Sequence, residues 1–224
     1  MLRSLMDVVT DPNCYDVDRV VAWRDESITF GELNRKAMEY SQILQGALSP
    51  WVVVNKSDRV EFVAASLAAW RSNKKVIYIP NLLLSSRQAL AEFDPYWMLD
   101  DEYIDSDCSA DDKGRDFRQA DFPSDTVALL FTSGSTGEPT AVAKSFAQFD
   151  HELLCLDKIS EQELDDCLTV SMVSHLHMYG LMFGVLLPLC RGLPFLTKTV
   201  EYWENLLFCA HGMSIILLSS PTHL

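Results

Sequence analysis

Short apolar runs rich in β-branched residues, separated by stretches of helical pattern, decide which folds are open to this chain. WVVV at 51–54, KVIYIP at 75–80 and TVALLF at 126–131 are apolar at nearly every position. A strand wetted on one face alternates; a strand covered on both faces does not. Between the first two runs, Asp58 followed by RVEFVAASLAAWR reads as a helix begun by a capping aspartate. Strand, helix and strand in that order predict an α/β fold, with alternating strands and helices forming layered, largely parallel sheets.

The same alternation extends both ways. VVAWRDESIT predicts two short strands around the turn at 24–27, and TFGELNRKAMEYSQIL a helix opened by a capping box, Thr29 with Glu32. Leu33, Ala37, Tyr40 and Leu44 recur on one face of that helix. TAVAKSF at 140–146 reads as a strand, 147–159 as a helix, CLTVSMV as a strand and 179–190 as a helix. PFLT, a helix over 202–210, the strand SIILLS, and a first helical turn at PTHL complete the pattern. From Glu92 to Asp121 eleven acidic residues face three basic ones, which predicts an acidic, solvated connection with a short strand near 96–99.

Charge narrows the partners. Eighteen Lys and Arg against 32 Asp and Glu leave a net charge of -14, with no basic stretch, which argues against nucleic acid. The opening MLRSLMDVVTDPN has no signal-peptide core, and the most apolar run, LMFGVLLPLC, contains Gly184 and Pro188 and stops at Arg191, so no membrane span is expected. Six cysteines without a C-x-x-C pair, most among apolar neighbours, suit a reduced, cytoplasmic setting. His151, Cys155, Cys167 and His175 match no zinc spacing, so a core-thiol reading is favoured and no metal site is expected.

One loop carries more hydrogen-bonding groups than a turn needs. LFTSGSTGEP, 130–139, packs four hydroxyls and two glycines into 132–137 directly behind a buried strand. Glycine lets a backbone approach an anion closely, and successive N–H groups can point at one phosphate. An ordinary hairpin turn is the competing reading. The loop is not G-x-x-x-x-G-K-[ST]: counting from Gly134, Pro139 falls where the second glycine belongs and Thr140 where the lysine belongs. Pro139 and the following TAVAK also predict an extended exit, whereas a P-loop opens a helix.

LLFTSGSTGEPTAVAKS resembles the phosphate-loop motif T-S-G-[ST]-T-G-x-P-K-G-x of the adenylate-forming (AMP-binding) ligases, a superfamily that includes acyl-CoA synthetases and peptide-synthetase adenylation domains. Thr132, Ser133, Gly134, Ser135, Thr136, Gly137 and Pro139 match it position by position. The resemblance implies that this loop closes over the β- and γ-phosphates of ATP. Thr140-Ala141 replaces the usual Lys-Gly, and Lys144 is the next lysine, a phosphate-binding candidate set against a surface role. HLHMYGL followed by PLCRGLPF resembles the segment H-x-x-G-L; on that match His177, Gly180 and Leu181 carry over, with His177 and Gly180 at the acyl channel and His175 structural. ITFGELNRKAMEYSQIL and SIILLSSPTHL resemble further segments of the front part of such ligases.

The implied chemistry is attack of a small-molecule carboxylic acid on MgATP, giving an acyl adenylate, followed by transfer to the thiol of CoA or of a carrier protein's phosphopantetheine. Ser133, Ser135 and Thr136 would steady the charge of the leaving pyrophosphate; no covalent nucleophile is required. The superfamily's later motifs are not found in the sequence. Residues 1–224 are therefore expected to be the N-terminal part of an adenylation domain, without a catalytic residue of their own and catalytically incomplete alone. A non-catalytic scaffold that retains the fold is the alternative, and a P-loop NTPase or kinase is disfavoured by the loop spacing.

Overall fold

The computed structural model describes residues 2–81, 84–90, 96–101, 122–133, 139–159, 167–206 and 212–221. The expected strand-and-helix alternation is present, as two five-stranded, mixed but largely parallel sheets. The strands are β1 (Val20–Trp23), β2 (Ser27–Thr29), β3 (Trp51–Asn55), β4 (Lys75–Tyr78), β5 (Trp97–Asp100), β6 (Ala128–Ser133), β7 (Pro139–Lys144), β8 (Cys167–Ser171), β9 (Phe195–Leu196) and β10 (Ser214–Leu218). One sheet runs β5-β3-β4-β6-β7 and the other β10-β8-β9-β1-β2; only the β1–β2 and β6–β7 pairs are antiparallel.

The unbroken apolar runs reflect a sheet covered on both faces. Val52, Val54, Val76, Tyr78, Ala128 and Leu130 enter the main core, while Trp51, Val53, Ile77, Ile79, Leu129 and Phe131 form a second cluster with Leu90. Period-two alternation therefore splits each run between two apolar layers. The main core also takes Ala22 and Phe195 from the other sheet, together with the buried sides of all the helices but the one that carries Leu90.

Those helices are α1 (Leu5–Thr10), α2 (Phe30–Leu44), α3 (Arg59–Arg71), α4 (Leu84–Leu90), α5 (Phe146–Ile159), α6 (Met178–Leu181) and α7 (Leu187–Arg191), with a π-helical turn, Met182–Leu186, joining the last two. Thr29 and Glu32 make the capping box of α2 in both directions. Asp58 accepts from the backbone N–H of Val60 and Glu61 at the start of α3, and α3 is buried almost all round. The π turn stands just before Pro188, which has no N–H to give; the Leu187 N–H reaches back to the Met182 carbonyl, five residues earlier.

The structure adds two helices that the sequence pattern did not reveal, α1 and α4. Ser4 caps α1, and Arg71 satisfies the carbonyls of Val8 and Val9 at its other end, at 3.3 and 2.8 Å. The short strand expected near 96–99 is β5; residues 102–121 of the acidic connection lie outside the described residues. So do residues 207–210 of the helix expected at 202–210, of which the described part has a 3₁₀ turn at Trp203–Asn205. Among the described residues no helix is long and apolar enough to cross a membrane.

Candidate nucleotide and acyl site

β6 runs parallel to β4 and then pairs antiparallel with β7, with Thr132 opposite Thr140 and Ser133 opposite Pro139. The loop that joins them is therefore carried at the carboxyl end of a parallel strand, where α/β sheets bind ligands. It returns directly into a strand, as Pro139 and TAVAK predicted, and not into a helix. Thr132 donates weakly from Oγ1 to the Thr140 carbonyl at 3.4 Å. Gly134, Ser135, Thr136 and Gly137 lie outside the described residues; what is described is the pair of strands on either side of them.

Lys144 is opposite Ala128, at the end of the hairpin away from the loop, and its ammonium is ion-paired with Glu152 of α5. Four strand residues, about 13 Å, separate it from Thr140.

The second motif lies just beyond β8. His177 is exposed at the N-cap of α6, where its side chain makes no capping bond; its N–H donates to the Ser174 carbonyl at 3.2 Å and its carbonyl accepts from Leu181 at 2.8 Å. Gly180 is buried against the same turn, so closely that a Cβ there would stand 2.1 Å from the Ser174 carbonyl oxygen. No other residue fits without moving the turn. Leu181 is buried in the main core.

His175 points inward, 2% exposed. Its Nε2 donates to the Lys56 carbonyl at 2.8 Å and its ring meets Phe62 edge-on at 4.7 Å. A carbonyl acceptor requires the proton on Nε2, so the ring is the neutral Nε2–H tautomer, with Nδ1 buried and unpartnered. Burial, with the nearby positive charge of Arg59, lowers its pKa to about 4. Lys56 is itself buried, bonded to the Asp100 carbonyl and lying over the Tyr40 ring. Desolvation pulls its pKa down, while Asp101, Glu61 and Asp100 oppose that.

Among the described residues Arg59 is the largest buried charged side chain, 1% exposed. Its Nη1 donates to the Leu196 carbonyl at 3.0 Å, and its Nη2 to the Val173 carbonyl at 3.2 Å and to Thr199 Oγ1 at 3.1 Å. Burial lowers its pKa to about 10, which still leaves it charged at neutral pH. Neither Arg59 nor the buried His175 was singled out as a site group by motif. Beyond the carboxyl ends of β1 and β9 lies an open cavity of about 640 Å³, lined by Arg24, Thr197, Lys198, Thr199, Glu201 and Tyr202 among others.

The four residues weighed for zinc do not converge. His151 and Cys155 are neighbours on α5, Nε2 to Sγ 3.8 Å, whereas His175 is committed to Lys56. Among the described residues no group of three His, Cys, Asp or Glu side chains is arranged to hold a metal ion. Cys14, Cys155, Cys167 and Cys190 are not in disulfides, and burial pushes the thiols of Cys14 and Cys190 up.

The two sheets and the helices that cover them have the fold of the N-terminal domain of adenylate-forming ligases. The o-succinylbenzoate CoA synthetase MenE of Bacillus subtilis, in complex with its acyl-adenylate intermediate, superposes with a TM-score of 0.75 at 16% identity, over 98% of this chain and 62% of that one. VinN in complex with L-aspartate gives 0.74 at 17% identity, over all of this chain and 69% of its own. By sequence, zwittermicin A synthase ZmaJ of Bacillus cereus is 28% identical over 142 residues, 54% of this chain and 27% of ZmaJ. The chain thus spans about a quarter of that curated relative. No protein-family model matches the sequence.

Proposed function

We propose that the chain is the nucleotide- and acyl-binding front of an ATP-dependent acid–thiol ligase, which activates a carboxylic acid as its acyl adenylate and passes it to CoA or to a carrier protein's phosphopantetheine. The observation that carries this reading is the placing of TSGSTGEP: a loop dense in hydroxyls and glycines, hung between β6 and β7 at the carboxyl edge of a parallel sheet. In the same fold, MenE has been seen with ATP and magnesium ion and VinN with L-aspartate.

The residues fit a nucleotide. Thr132, Ser133, Ser135 and Thr136 offer donors without bulk, Gly134 and Gly137 allow close backbone approach, and none of these residues is charged. When bound, MgATP supplies the electrophilic phosphorus and a pyrophosphate leaving group. The chain's part is to hold the phosphates by N–H and O–H donors, so that two anions can share one site. His177 and Gly180 form a turn at the acyl side, with the imidazole free of any capping duty. Residues 1–224 are the N-terminal part of the adenylation domain on this reading, and the remainder completes the site.

Calorimetric titration with MgATP, beside a folded Ser135→Ala, Thr136→Ala variant, tests the proposal. Binding by the parent and at least tenfold weaker binding by the variant is the expected result. Equal binding by both would place the nucleotide elsewhere and overturn it. The Thr140-Ala141 pair, where such ligases carry Lys-Gly, favours a second reading, a scaffold that keeps the fold. A loop inert to MgATP even in a lengthened chain would support that second reading.

A further inference from the structure

A buried cation is a costly way to fill space, since an apolar side chain of similar volume would pack there without desolvating a charge. Arg59 nevertheless opens α3 with its guanidinium in the interior, and its acceptors follow a pattern. The Val173 carbonyl belongs to the segment that leaves β8; the Leu196 carbonyl and Thr199 Oγ1 belong to the segment that leaves β9. The Arg59 N–H adds a bond to the Thr197 carbonyl at 2.9 Å. One side chain thus ties the first turn of α3 to the exits of two neighbouring strands.

The exit of β8 is the turn that delivers His177. Val173 is held from within by Ser171, whose Oγ donates to its carbonyl at 2.8 Å and accepts from its N–H at 3.1 Å. Two residues on, His175 bonds the Lys56 carbonyl and rests on Phe62, so the turn is fastened to the β3–α3 junction at a second point. Beyond these points Ser174 receives the His177 N–H and presses on Gly180. His177 itself makes no capping bond; its place is set by what lies behind it.

We propose that Arg59 is a positioning residue for the ligand-facing turn: by donating to Val173, Leu196 and Thr199 together, it fixes the direction in which His177 is presented. This rests on the reading of His177 as an acyl-side residue. Lysine at this position keeps the charge but not the planar fork that serves two chain segments at once.

The test is NMR on the whole chain with histidine labelled at Cε1. The His177 signal is assigned by its loss in His177→Asn, and His151 on α5 serves as the internal reference. In Arg59→Lys, shown folded by circular dichroism, the His177 signal is expected to move by more than its line width while that of His151 stays. A role confined to stability would lower the urea midpoint and leave the His177 signal in place, and that result overturns the proposal. If Arg59→Lys does not fold, Thr199→Val removes a single acceptor; a smaller shift of the same signal is expected, and an unmoved signal overturns the proposal equally. The MgATP titration keeps the two readings apart: equal binding by the parent and the loop variant sinks the ligase reading without touching the histidine signal, whereas loop-dependent binding with an unmoved His177 sinks the positioning role alone.

Discussion

His175 donates from Nε2 to the carbonyl of Lys56 at 2.8 Å, joining the exit of β8 in one sheet to the exit of β3 in the other. Protonation would leave that bond in place but would put a charge on Nδ1, which is buried with nothing ready to share its proton. Stability should therefore depend on pH in a particular direction. The unfolded chain binds a proton at this residue near pH 6.5 and the folded chain only near pH 4. Between those values the unfolded state takes up the proton and the folded state does not. Stability falls as the pH is lowered through that window and the contribution levels off beneath it. The whole contribution is about 3 kcal/mol at ~1.4 kcal/mol per pH unit. Urea unfolding at pH 7 and pH 4.5 should show a clearly smaller loss for His175→Gln than for the parent; equal losses would assign the pH dependence to other groups.

Gly180 has no room for a methyl group. A Cβ 2.1 Å from the Ser174 oxygen forces the turn apart, so Gly180→Ala should destabilise the chain by about 1–3 kcal/mol and alter the His177 signal. Gly46→Ala is the control, because a Cβ there meets nothing within 4 Å. Similar urea midpoints for the two variants would contradict the close approach.

At the start of α2, Thr29 and Glu32 cap one another's backbone, and the hydrogen bond from the Thr29 N–H holds the Glu32 carboxyl below its usual range. Thr29→Ala should cost about 1 kcal/mol at neutral pH. The carboxylate favours the folded state above the ordinary glutamate range, and this contribution fades as acid protonates it. The difference between parent and Glu32→Gln should therefore shrink as the pH is lowered below about 4. A difference that grew in acid would refute the capping box.

Lys144 is already neutralised by Glu152 at the loop-distal end of its hairpin. Replacing it by methionine should therefore change MgATP affinity less than threefold, far less than the loss expected for the loop variant. Its cost in stability should stay within ~1 kcal/mol, the ordinary worth of a partly exposed pair. A tenfold loss of affinity would mean that the ammonium leaves Glu152 for phosphate.

Legibility in the sequence followed the strength of each local signal. The two-faced burial of β3, β4 and β6 and the caps at Thr29 and Asp58 are written in neighbouring residues, and the structure bears them out. α1 escaped because Leu5–Thr10 is too short for a period to show; its carbonyls depend on Arg71, 62 residues away. The helix over 179–190 was seen as one piece, although a π turn divides it before Pro188. At the site, His177 and Gly180 stood out through a motif. Arg59 and the bond from His175 to Lys56 could not, because their partners are brought together only by the packing of one sheet's exits against the other's.

The antiparallel pairing of β6 with β7 has a kinetic consequence. Thr132 and Thr140 are eight residues apart in the chain, whereas Arg59 must find Leu196 across 137. A hairpin closes in about 1–10 μs, and contacts between distant segments form later because a long loop must first be closed. The frame of the TSGSTGEP loop is therefore among the earliest features the chain can assemble, while the turn that presents His177 waits until both sheets are in place. On the proposed reading, the frame of a nucleotide's cradle would form before the acid's channel.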